Sequence, residues 1–367
     1  MFLTSTNIVH YLLERGLVLA EQVVDGDYMV VEAPRRNRNF KVIKRDQSGL
    51  FLKQVQRWDQ PSLATLQLEA QCYRLTNEQA EFAPLRKLVP HFHGYDERRA
   101  ILVTELLGGG QSLAEYYFQN GKIPDNVATQ LGRAFGQYHR LVKNSPSAAA
   151  KPIFPRQVPW VLSFHKMTSN MLQDVSGGNH QLLAILKRYP DFGRILDKLA
   201  AEWKFESLVH GDIKWDNCVL VPDKQSNEVT LKLVDWELAD WGDPCWDVAA
   251  IFSAFVVFWI QSIPLAPGGD VNQAMAKAQF PIEKMQPAIQ TFWRAYVEEM
   301  QVAGSSARDL LRRSVLLCGA RTIQTAYEYV QSSPQLNPLT FLILQASLNI
   351  LTKPEEATNE LLGLPIQ

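Results

Sequence analysis

The chain has few cysteines, no long hydrophobic run and almost no net charge. Its four cysteines, in 367 residues, lie far apart and never in a C-x-x-C spacing, so neither a zinc site nor a disulfide framework is predicted. The most apolar segment, residues 248–260, is too short to span a bilayer and is predicted to be a buried helix. The N-terminus carries Asn7, His10, Glu14 and Arg15 among its apolar residues, unlike a signal peptide. We therefore expect a cytoplasmic protein without a membrane segment.

The balance of charge also limits the choice of partners. Thirty-seven basic residues face thirty-eight acidic ones, so no overall field attracts nucleic acid or an anionic membrane, and we expect neither as a partner. The chain is not strongly acidic either, as an enzyme built around polycationic antibiotics would be. An apolar content of 46% is enough for a sizeable core and two lobes. The sequence does not determine the oligomeric state.

Two short segments carry the chemistry. Residues 208–217 read L-V-H-G-D-I-K-W-D-N and residues 233–237 read L-V-D-W-E. Asp212 stands five residues before Asn217, and Asp235 ends an apolar run that is predicted to be a strand. Phosphoryl transfer needs a group that accepts the proton of the attacking hydroxyl, and oxygen ligands for Mg²⁺. Asp212 suits the first role, and Asn217 and Asp235 suit the second.

The same segments resemble a known superfamily. An H-x-D-x-x-x-x-N pattern followed by an Asp-led tripeptide is the protein-kinase arrangement. In this chain the two motifs read H-G-D at 210–212 and D-W-E at 235–237, and G-D-P-C-W-D-V-A follows at 242–249. This is similar to the aminoglycoside phosphotransferase and choline kinase superfamily. The resemblance implies an α+β, protein-kinase-like, two-lobed fold: a small antiparallel N-terminal sheet with one main helix, and a larger, mostly helical C-terminal lobe.

The resemblance also implies how the chain is divided. Strand-like runs at 27–32, 39–44, 49–55, 89–95 and 100–107 precede a mostly helical remainder, with helices predicted within 124–142, 181–205, 248–260, 282–302, 307–329 and 339–351. We expect a nucleotide-binding lobe at 1–107 and a catalytic and acceptor-binding lobe at 108–367, with a hinge at about 104–111. In such a kinase-like chain the backbone of Glu105, Leu106 and Leu107 would contact adenine.

Further site residues follow from the same comparison. Lys53, in the run L-F-L-K-Q-V, resembles the kinase lysine that contacts the phosphates, although a lysine on a strand often simply faces solvent. Glu69, within the helical pattern at 63–75, stands where its partner is expected. Lys214 matches a lysine that approaches the transferred phosphate in Ser/Thr kinases, or is a solvent-facing loop residue. Glu237 is expected at the metal, directly or through water. Two roles remain open for Asp247: it is a carboxylate in the first turn of a helix, or, as the resemblance implies, it braces the catalytic loop.

One departure concerns the turn between the first two strands. It reads A-P-R-R-N-R-N at 33–39 and has no glycine, so its backbone is not predicted to lie closely over phosphates. Either it is an exposed basic turn, or Arg35, Arg36 or Arg38 supplies charge to the phosphates or to an anionic acceptor.

The function predicted is an ATP- and Mg²⁺-dependent phosphotransferase, with GTP as a possible donor. Its acceptor is a hydroxyl of a small or antibiotic-like molecule, or alternatively a Ser or Thr of a precursor peptide, as in lanthipeptide-type pathways. A non-catalytic kinase-like scaffold is the third alternative. Scaffolds of this shape usually lose one of the four positions occupied here by Lys53, Asp212, Asn217 and Asp235.

Overall fold

The structure is a computed structural model that describes residues 2–33, 36–45, 48–143, 154–168, 175–223, 228–266 and 268–364. The strands are β1 (Tyr28–Glu32), β2 (Arg38–Lys44), β3 (Gly49–Gln54), β4 (Phe92–Asp96), β5 (Ile101–Glu105), β6 (Gln111–Ser112), β7 (Ser207–Val209), β8 (Cys218–Pro222), β9 (Val229–Leu233) and β10 (Asp240–Gly242). The helices are α1 (Ile8–Glu14), α2 (Ala20–Val24), α3 (Gln60–Glu78), α4 (Leu113–Asn120), α5 (Asp125–Lys143), α6 (Gly177–Arg188), α7 (Pro190–Ala201), α8 (Cys245–Gln261), α9 (Val271–Met275), α10 (Ile282–Met300), α11 (Gly304–Tyr329) and α12 (Pro338–Thr352). Shorter turns of 3₁₀ helix include Ala80–Leu88, Trp160–Lys166, Trp215–Asn217 and Trp236–Leu238, and the chain ends in a turn at Pro354–Glu356 and a π turn at Ala357–Leu361.

The predicted fold class is confirmed, because a small antiparallel sheet is followed by a mostly helical remainder. The predicted strands and long helices are present, each within a few residues of its expected ends. The sequence patterns did not indicate α2, α4 or the 3₁₀ segments. These elements are short, so their residues show too few turns for a helical period to be recognised.

The described residues fall into two compact units. The first unit contains the described residues up to Leu113, the single residue Phe154, and the described residues of Asp216–Ala239. The second unit contains the remainder. The units therefore cut the chain differently from the predicted lobes, because Asp216–Ala239 groups with the N-terminal residues. The division at 104–111 into a nucleotide-binding and an acceptor-binding lobe stays a prediction.

A five-stranded antiparallel sheet organises the first unit. The strands lie in the order β1-β2-β3-β5-β4. Side chains alternate along each strand, so every second residue points to the same face. One face is apolar and packs against α1 in a core of Leu3, Ile8, Tyr11, Leu12, Val18, Phe40, Val42, Leu50, Leu52, Ile101 and Val103. The intervening residues of β2, β3 and β5, namely Asn39, Lys41, Phe51, Lys53, Leu102 and Thr104, line a pocket.

A second, small sheet belongs to the same unit. Strands β6, β8 and β9 pair in that order, and β8 and β9 are antiparallel, with Cys218 opposite Leu233. One step beyond this pair, the N–H of Val234 donates to the carbonyl of Asn217 at 3.0 Å. The hairpin thus brings Asn217 beside the residue that precedes Asp235.

Helices dominate the second unit, which also holds the short antiparallel pair of β7 and β10. Helix α8 is apolar on nearly all sides and largely buried, as expected of a core helix. Helices α5 and α10 approach closely at two glycines: a Cβ on Gly132 would lie 2.3 Å from the carbonyl oxygen of Phe292, and one on Gly136 would lie 3.0 Å from that of Tyr296. Among the described residues, no helix combines the length and the apolar character needed to cross a membrane.

Candidate functional site

The pocket of the first unit has a volume of about 340 Å³. This lies within the range of about 300–1,000 Å³ that small-molecule sites occupy. Its walls come from the polar face of the sheet, from α3, from residues 105–107 and from the β8–β9 hairpin, and they include Lys53, Glu69, Glu105, Leu106, Leu107, Asn217, Asp235 and Glu237. The pocket therefore holds all the residues that the sequence predicted to bind cofactor or metal.

Lys53 is the central cation of this pocket. Its Nζ lies 3.0 and 2.8 Å from the two carboxylate oxygens of Glu69 and also pairs with the carboxylate of Asp235. The hydroxyl of Tyr73 donates to Glu69 Oε1 at 3.1 Å. The predicted pairing of Lys53 with Glu69 is thus confirmed, and Asp235 joins the pair.

Burial and charge act against each other in this cluster. Burial by itself lowers the pKa of Lys53, but Glu69 and Asp235 outweigh it, so that the pKa is raised and the ammonium keeps its proton. Burial raises the pKa of Glu69 to about 7, although Lys53 opposes that shift. The pair is a buried one, in which the lysine carries the positive charge that holds the site together.

Asp235 has an unusual backbone conformation. Its φ and ψ are 70° and 51°, in the left-handed region, just before the 3₁₀ turn Trp236–Leu238. This conformation costs most L-residues about 1–2 kcal/mol, and Asp tolerates it better than most. The turn aims the carboxylate of Asp235 at Lys53 instead of along the strand. Such local strain is typical of functional sites.

Glu237 lies at the same pocket and receives two donors from the β1–β2 turn. The guanidinium of Arg36 lies 3.0 Å from Glu237 Oε1, and the amide of Asn37 is 3.5 Å from Oε2. Arg38 does not take part, because it donates to the carbonyl of Leu3 at 2.9 Å. Arg35 lies outside the described residues.

The segment at 105–107 is anchored by its own backbone. The N–H of Glu105 donates to His91 at 2.8 Å, and that of Leu106 donates to Gly49 at 2.9 Å. Within the described part of the chain, the N–H of Leu107 has no such intramolecular acceptor. Of the three predicted adenine contacts, Leu107 is thus the residue with a backbone donor to offer.

The loop that contains Asp212 belongs to the second unit. Asp212 is 7% exposed, and its carboxylate lies 3.0 Å from Nζ of Lys214. Burial lowers the pKa of Lys214, but Asp212 more than compensates, so the pKa is raised. The backbone N–H of Asp212 lies 3.4 Å from Nδ1 of the buried His210, in keeping with a structural role for that histidine.

Asp247 holds this loop from the first turn of α8. Its carboxylate accepts the N–H of His210 at 2.7 Å, the N–H of Gly211 at 3.2 Å and the hydroxyl of Tyr138 at 2.6 Å. Burial works to raise its pKa, but the hydrogen bonds and the nearby His139 lower it overall. Asp247 is therefore a buried, ionised brace of the loop that contains Asp212.

Sequence reasoning missed Arg321, on α11. Its guanidinium lies 5.0 Å from the ring centroid of Trp246 and donates to the carbonyl of Ile213 at 3.3 Å and to Gln324 Oε1 at 3.0 Å. It is only 6% exposed. A signal was present, because an arginine interrupts the apolar run L-L-C-G-A-R-T-I at 316–323, and a buried charge needs partners.

The metal prediction rests on Asn217, Asp235 and Glu237, which all line the pocket. Two carboxylates and an amide offer the oxygen atoms that Mg²⁺ prefers. Among the described residues, no group of three or more His, Cys, Asp or Glu side chains is placed to hold a metal ion, either in this pocket or elsewhere. The assignment of these three residues as ligands stays a prediction.

Comparisons with known proteins agree with this geometry. The model of the phosphotransferase enzyme family matches residues 27–280. A search of curated protein sequences gives no match. Among solved structures, a choline kinase from Cryptosporidium parvum has a TM-score of 0.54 and 12% identity, with 97% of each chain covered.

Two further structures have the same fold. An amicoumacin kinase in complex with AMP-PNP and Ca²⁺ has a TM-score of 0.51 and 13% identity, over 94% of this chain and 96% of the other. A choline/ethanolamine kinase family protein from Mesorhizobium loti has a TM-score of 0.50 and 16% identity, over 94% and 95% of the two chains. At such identities the likeness concerns the fold alone. The match of the family model confirms the predicted superfamily. From the match of the family model, the chain belongs to the phosphotransferase enzyme family.

Proposed function

We propose that this protein transfers the γ-phosphate of ATP to a hydroxyl group of a small molecule, with Mg²⁺ as cofactor. The observation that carries the proposal is the cluster of Lys53, Glu69 and Asp235 in one pocket with Asn217. A cation that is held by a buried glutamate, beside two oxygen-bearing side chains, suits a bound Mg-nucleotide.

The nucleotide would use the pocket of the first unit. Lys53 would contact its phosphates, and Glu69 would keep the lysine in place. Leu107 would offer its N–H to the base, with Glu105 and Leu106 forming the wall beside it. The sequence leaves GTP open as an alternative donor, since nothing in these contacts identifies the base.

The donor set at the pocket also fits the metal. Asn217 and Asp235 would hold it, and Glu237 would do so directly or through water, because all three offer oxygen atoms. Magnesium, when bound, would neutralise charge that develops on the phosphates. The pairing of Lys53 with Asp235 means that a cation already compensates one of these carboxylates in the protein itself.

Asp212 would act on the acceptor. The acceptor oxygen would form a bond to the γ-phosphorus as the bond from that phosphorus to the β-bridging oxygen breaks, and the hydroxyl proton would pass to Asp212. ADP and a phosphate monoester would result. Lys214, 3.0 Å from Asp212, would hold this carboxylate in position and would stand ready for the transferred phosphate.

A small acceptor is the choice that the relatives support. The solved structures of the same fold include choline kinases and an amicoumacin kinase, whose names refer to small molecules. None of the relatives reported above is a peptide kinase. We therefore propose a small hydroxylated acceptor and treat a peptide acceptor as an outcome of the test.

The test uses γ-labelled ATP and Mg²⁺ with a cell lysate that has been separated into small molecules and peptides. The parent protein is compared with Asp212→Asn, and with Asp191→Asn as a control that removes the same charge from an exposed helix position. We expect labelled product in the small-molecule fraction, from the parent and from Asp191→Asn only.

Other outcomes would contradict the proposal. Label that appears only in the peptide fraction would identify a peptide kinase. Label that Asp212→Asn transfers as fast as the parent would remove Asp212 from its role. A parent protein that binds neither ATP nor GTP would favour the non-catalytic scaffold.

A further inference from the structure

Side chains of the β1–β2 turn and of β2 face the pocket of the first unit. Arg36, Asn37, Asn39 and Lys41 all line it, in a segment that contains no glycine. A glycine-rich turn would present backbone N–H groups to phosphates. Together the turn and β2 present two cationic and two amide side chains, which can supply charge and hydrogen bonds instead.

Arg36 reaches into the pocket from the protein surface. Its side chain is 57% exposed, whereas that of Glu237, its partner at 3.0 Å, is 10% exposed. The arginine is therefore the more solvent-exposed member of the pair. A guanidinium also binds phosphate oxygens through two parallel hydrogen bonds, so a polyphosphate is a strong competitor for Glu237.

Arg38 provides an internal comparison. It carries the same charge two residues further on, but donates to the carbonyl of Leu3 and lies 5.0 Å from the ring centroid of Phe2. Arg38 thus contacts the N-terminal segment of the chain, and it does not line the pocket. Of Arg36 and Arg38, only Arg36 is placed to meet a ligand in the pocket.

Asn39 is the second, independent observation. It is 8% exposed, and its Oδ1 is buried with no hydrogen-bond partner in the described residues. In the β2–β3 ladder Asn39 lies opposite Lys53, so both side chains emerge on the pocket face. Buried polar atoms are nearly always hydrogen-bonded, so Oδ1, an acceptor, points to a donor or a cation that arrives with a ligand, while the NH₂ group of the same amide can donate to a phosphate oxygen.

We propose that Arg36 and Asn39 bind the phosphate-bearing end of the nucleotide, and that Arg36 leaves Glu237 to do so. The ion pair of Arg36 with Glu237 then keeps both side chains paired while no nucleotide is bound. Opening it transfers Arg36 to the phosphates and leaves Glu237 without its cation, ready for the metal. This inference rests on the proposed function and adds the residues that replace a glycine-rich loop.

The first experiment measures the binding of ATP, ADP and adenosine by calorimetry, with Mg²⁺ and without acceptor. Arg36→Ala should bind ATP about tenfold more weakly than the parent. Its affinity for ADP should fall less, and its affinity for adenosine should equal that of the parent. Asn39→Ala should bind ATP about three- to tenfold more weakly. Arg38→Ala, the matched control for charge, should bind ATP like the parent, and Arg36→Lys should recover part of the loss.

The second experiment tests the exchange of partners. Without Mg²⁺, Glu237→Gln should strengthen ATP binding severalfold, because Arg36 no longer has to leave a carboxylate. The same substitution in an Arg36→Ala background should have little effect. If Glu237→Gln strengthened binding equally in both backgrounds, simple repulsion between carboxylate and phosphate would explain it and the exchange would be refuted.

The two proposals can fail separately. A parent that binds ATP while Arg36→Ala binds it no more weakly than Arg38→Ala overturns this inference and leaves the phosphotransferase proposal standing. An equal loss of affinity for ATP and for adenosine would also overturn it, because adenosine has no phosphate and the loss of a phosphate contact cannot weaken its binding. A parent that binds no nucleotide overturns both.

Discussion

Asp247 and His210 are 37 residues apart in the chain, yet the Asp247 carboxylate accepts the His210 N–H at 2.7 Å. Asp247 sits in the first turn of α8, which is a core helix, and His210 begins the loop that carries Asp212. The position of the proposed catalytic residue is therefore fixed by the beginning of a buried helix. The hydrogen bond makes the loop depend on the core of its unit.

Removing the Asp247 carboxylate should destabilise the protein. Asp247→Ala leaves the N–H groups of His210 and Gly211 and the hydroxyl of Tyr138 without their acceptor. Each buried donor that is left unpaired in this way costs about 1–3 kcal/mol. Urea unfolding measures the loss. Asp309→Ala, at an exposed position inside α11, should change the free energy of unfolding by less than about 0.5 kcal/mol. A loss below about 1 kcal/mol for Asp247→Ala would mean that the loop does not depend on this brace.

Removing the charge of Lys53 should abolish activity while leaving the protein folded. In Lys53→Met, the buried Glu69 loses its cation, and its pKa, already raised to about 7, rises further so that it takes up a proton. The core can accommodate the neutral acid. We expect phosphoryl transfer to fall by about 100-fold or more, and the protein to stay folded with a lower melting temperature than the parent, because a buried ion pair has lost one partner.

Steady-state kinetics with ATP and differential scanning calorimetry check these two results for Lys53→Met. Lys87→Met, which removes an exposed lysine from the 3₁₀ segment Ala80–Leu88, is the control and should behave like the parent. Unchanged activity in Lys53→Met would exclude Lys53 from the reaction.

A methyl group at Gly132 should separate two helices. The Cβ of Gly132→Ala would lie 2.3 Å from the carbonyl oxygen of Phe292, a backbone atom that cannot rotate away, so α5 and α10 must move apart. Overpacking of this kind costs about 1–3 kcal/mol. Denaturant unfolding tests it, with Arg133→Ala, on the exposed side of α5, as a control. If Gly132→Ala were as stable as the parent, the close approach of the two helices would not be needed.

Asp240 should make the stability of the protein depend on pH. Burial raises its pKa to about 6, although the N–H groups of Gln157 and Trp241 work against the shift. Between pH 4 and 6 the folded state thus binds more protons at Asp240 than the unfolded state, whose pKa is about 3.9. This group therefore lowers the stability as the pH rises through that window.

Asp240→Asn removes that dependence. Melting temperatures of the variant and the parent should be similar near pH 4, and the variant should become the more stable of the two by pH 7. Parallel curves from pH 4 to pH 7 would show that Asp240 has an ordinary pKa.

Much of this architecture could be predicted because local patterns reflect it directly. The alternation in β2 and β3 and the helical period of α3 indicated the elements that carry Lys53 and Glu69, and the resemblance to kinases implied that the two residues pair. The spacing from Asp212 to Asn217 identified the chemistry before any fold was known.

What could not be predicted depends on contacts between distant parts of the chain. The pairing of Arg36 with Glu237 spans 201 residues, and the contact of Arg321 with Ile213 spans 108. Neither has a periodic pattern. The left-handed conformation of Asp235 was also hidden, because its residue type permits that conformation without requiring it.

The alternating faces of β2, β3 and β5 have a consequence for genetics. Substitutions at Phe40, Val42, Leu50 and Leu52 act on the core, whereas those at the neighbouring Asn39 and Lys53 act on the pocket. A saturation library scored once for cellular abundance and once for function should therefore separate along these strands with a period of two residues. Substitutions at the core positions would lower abundance. Substitutions at the positions between them would lower function and leave abundance unchanged. Such a profile would distinguish harmful variants that misfold from those that fold and cannot bind.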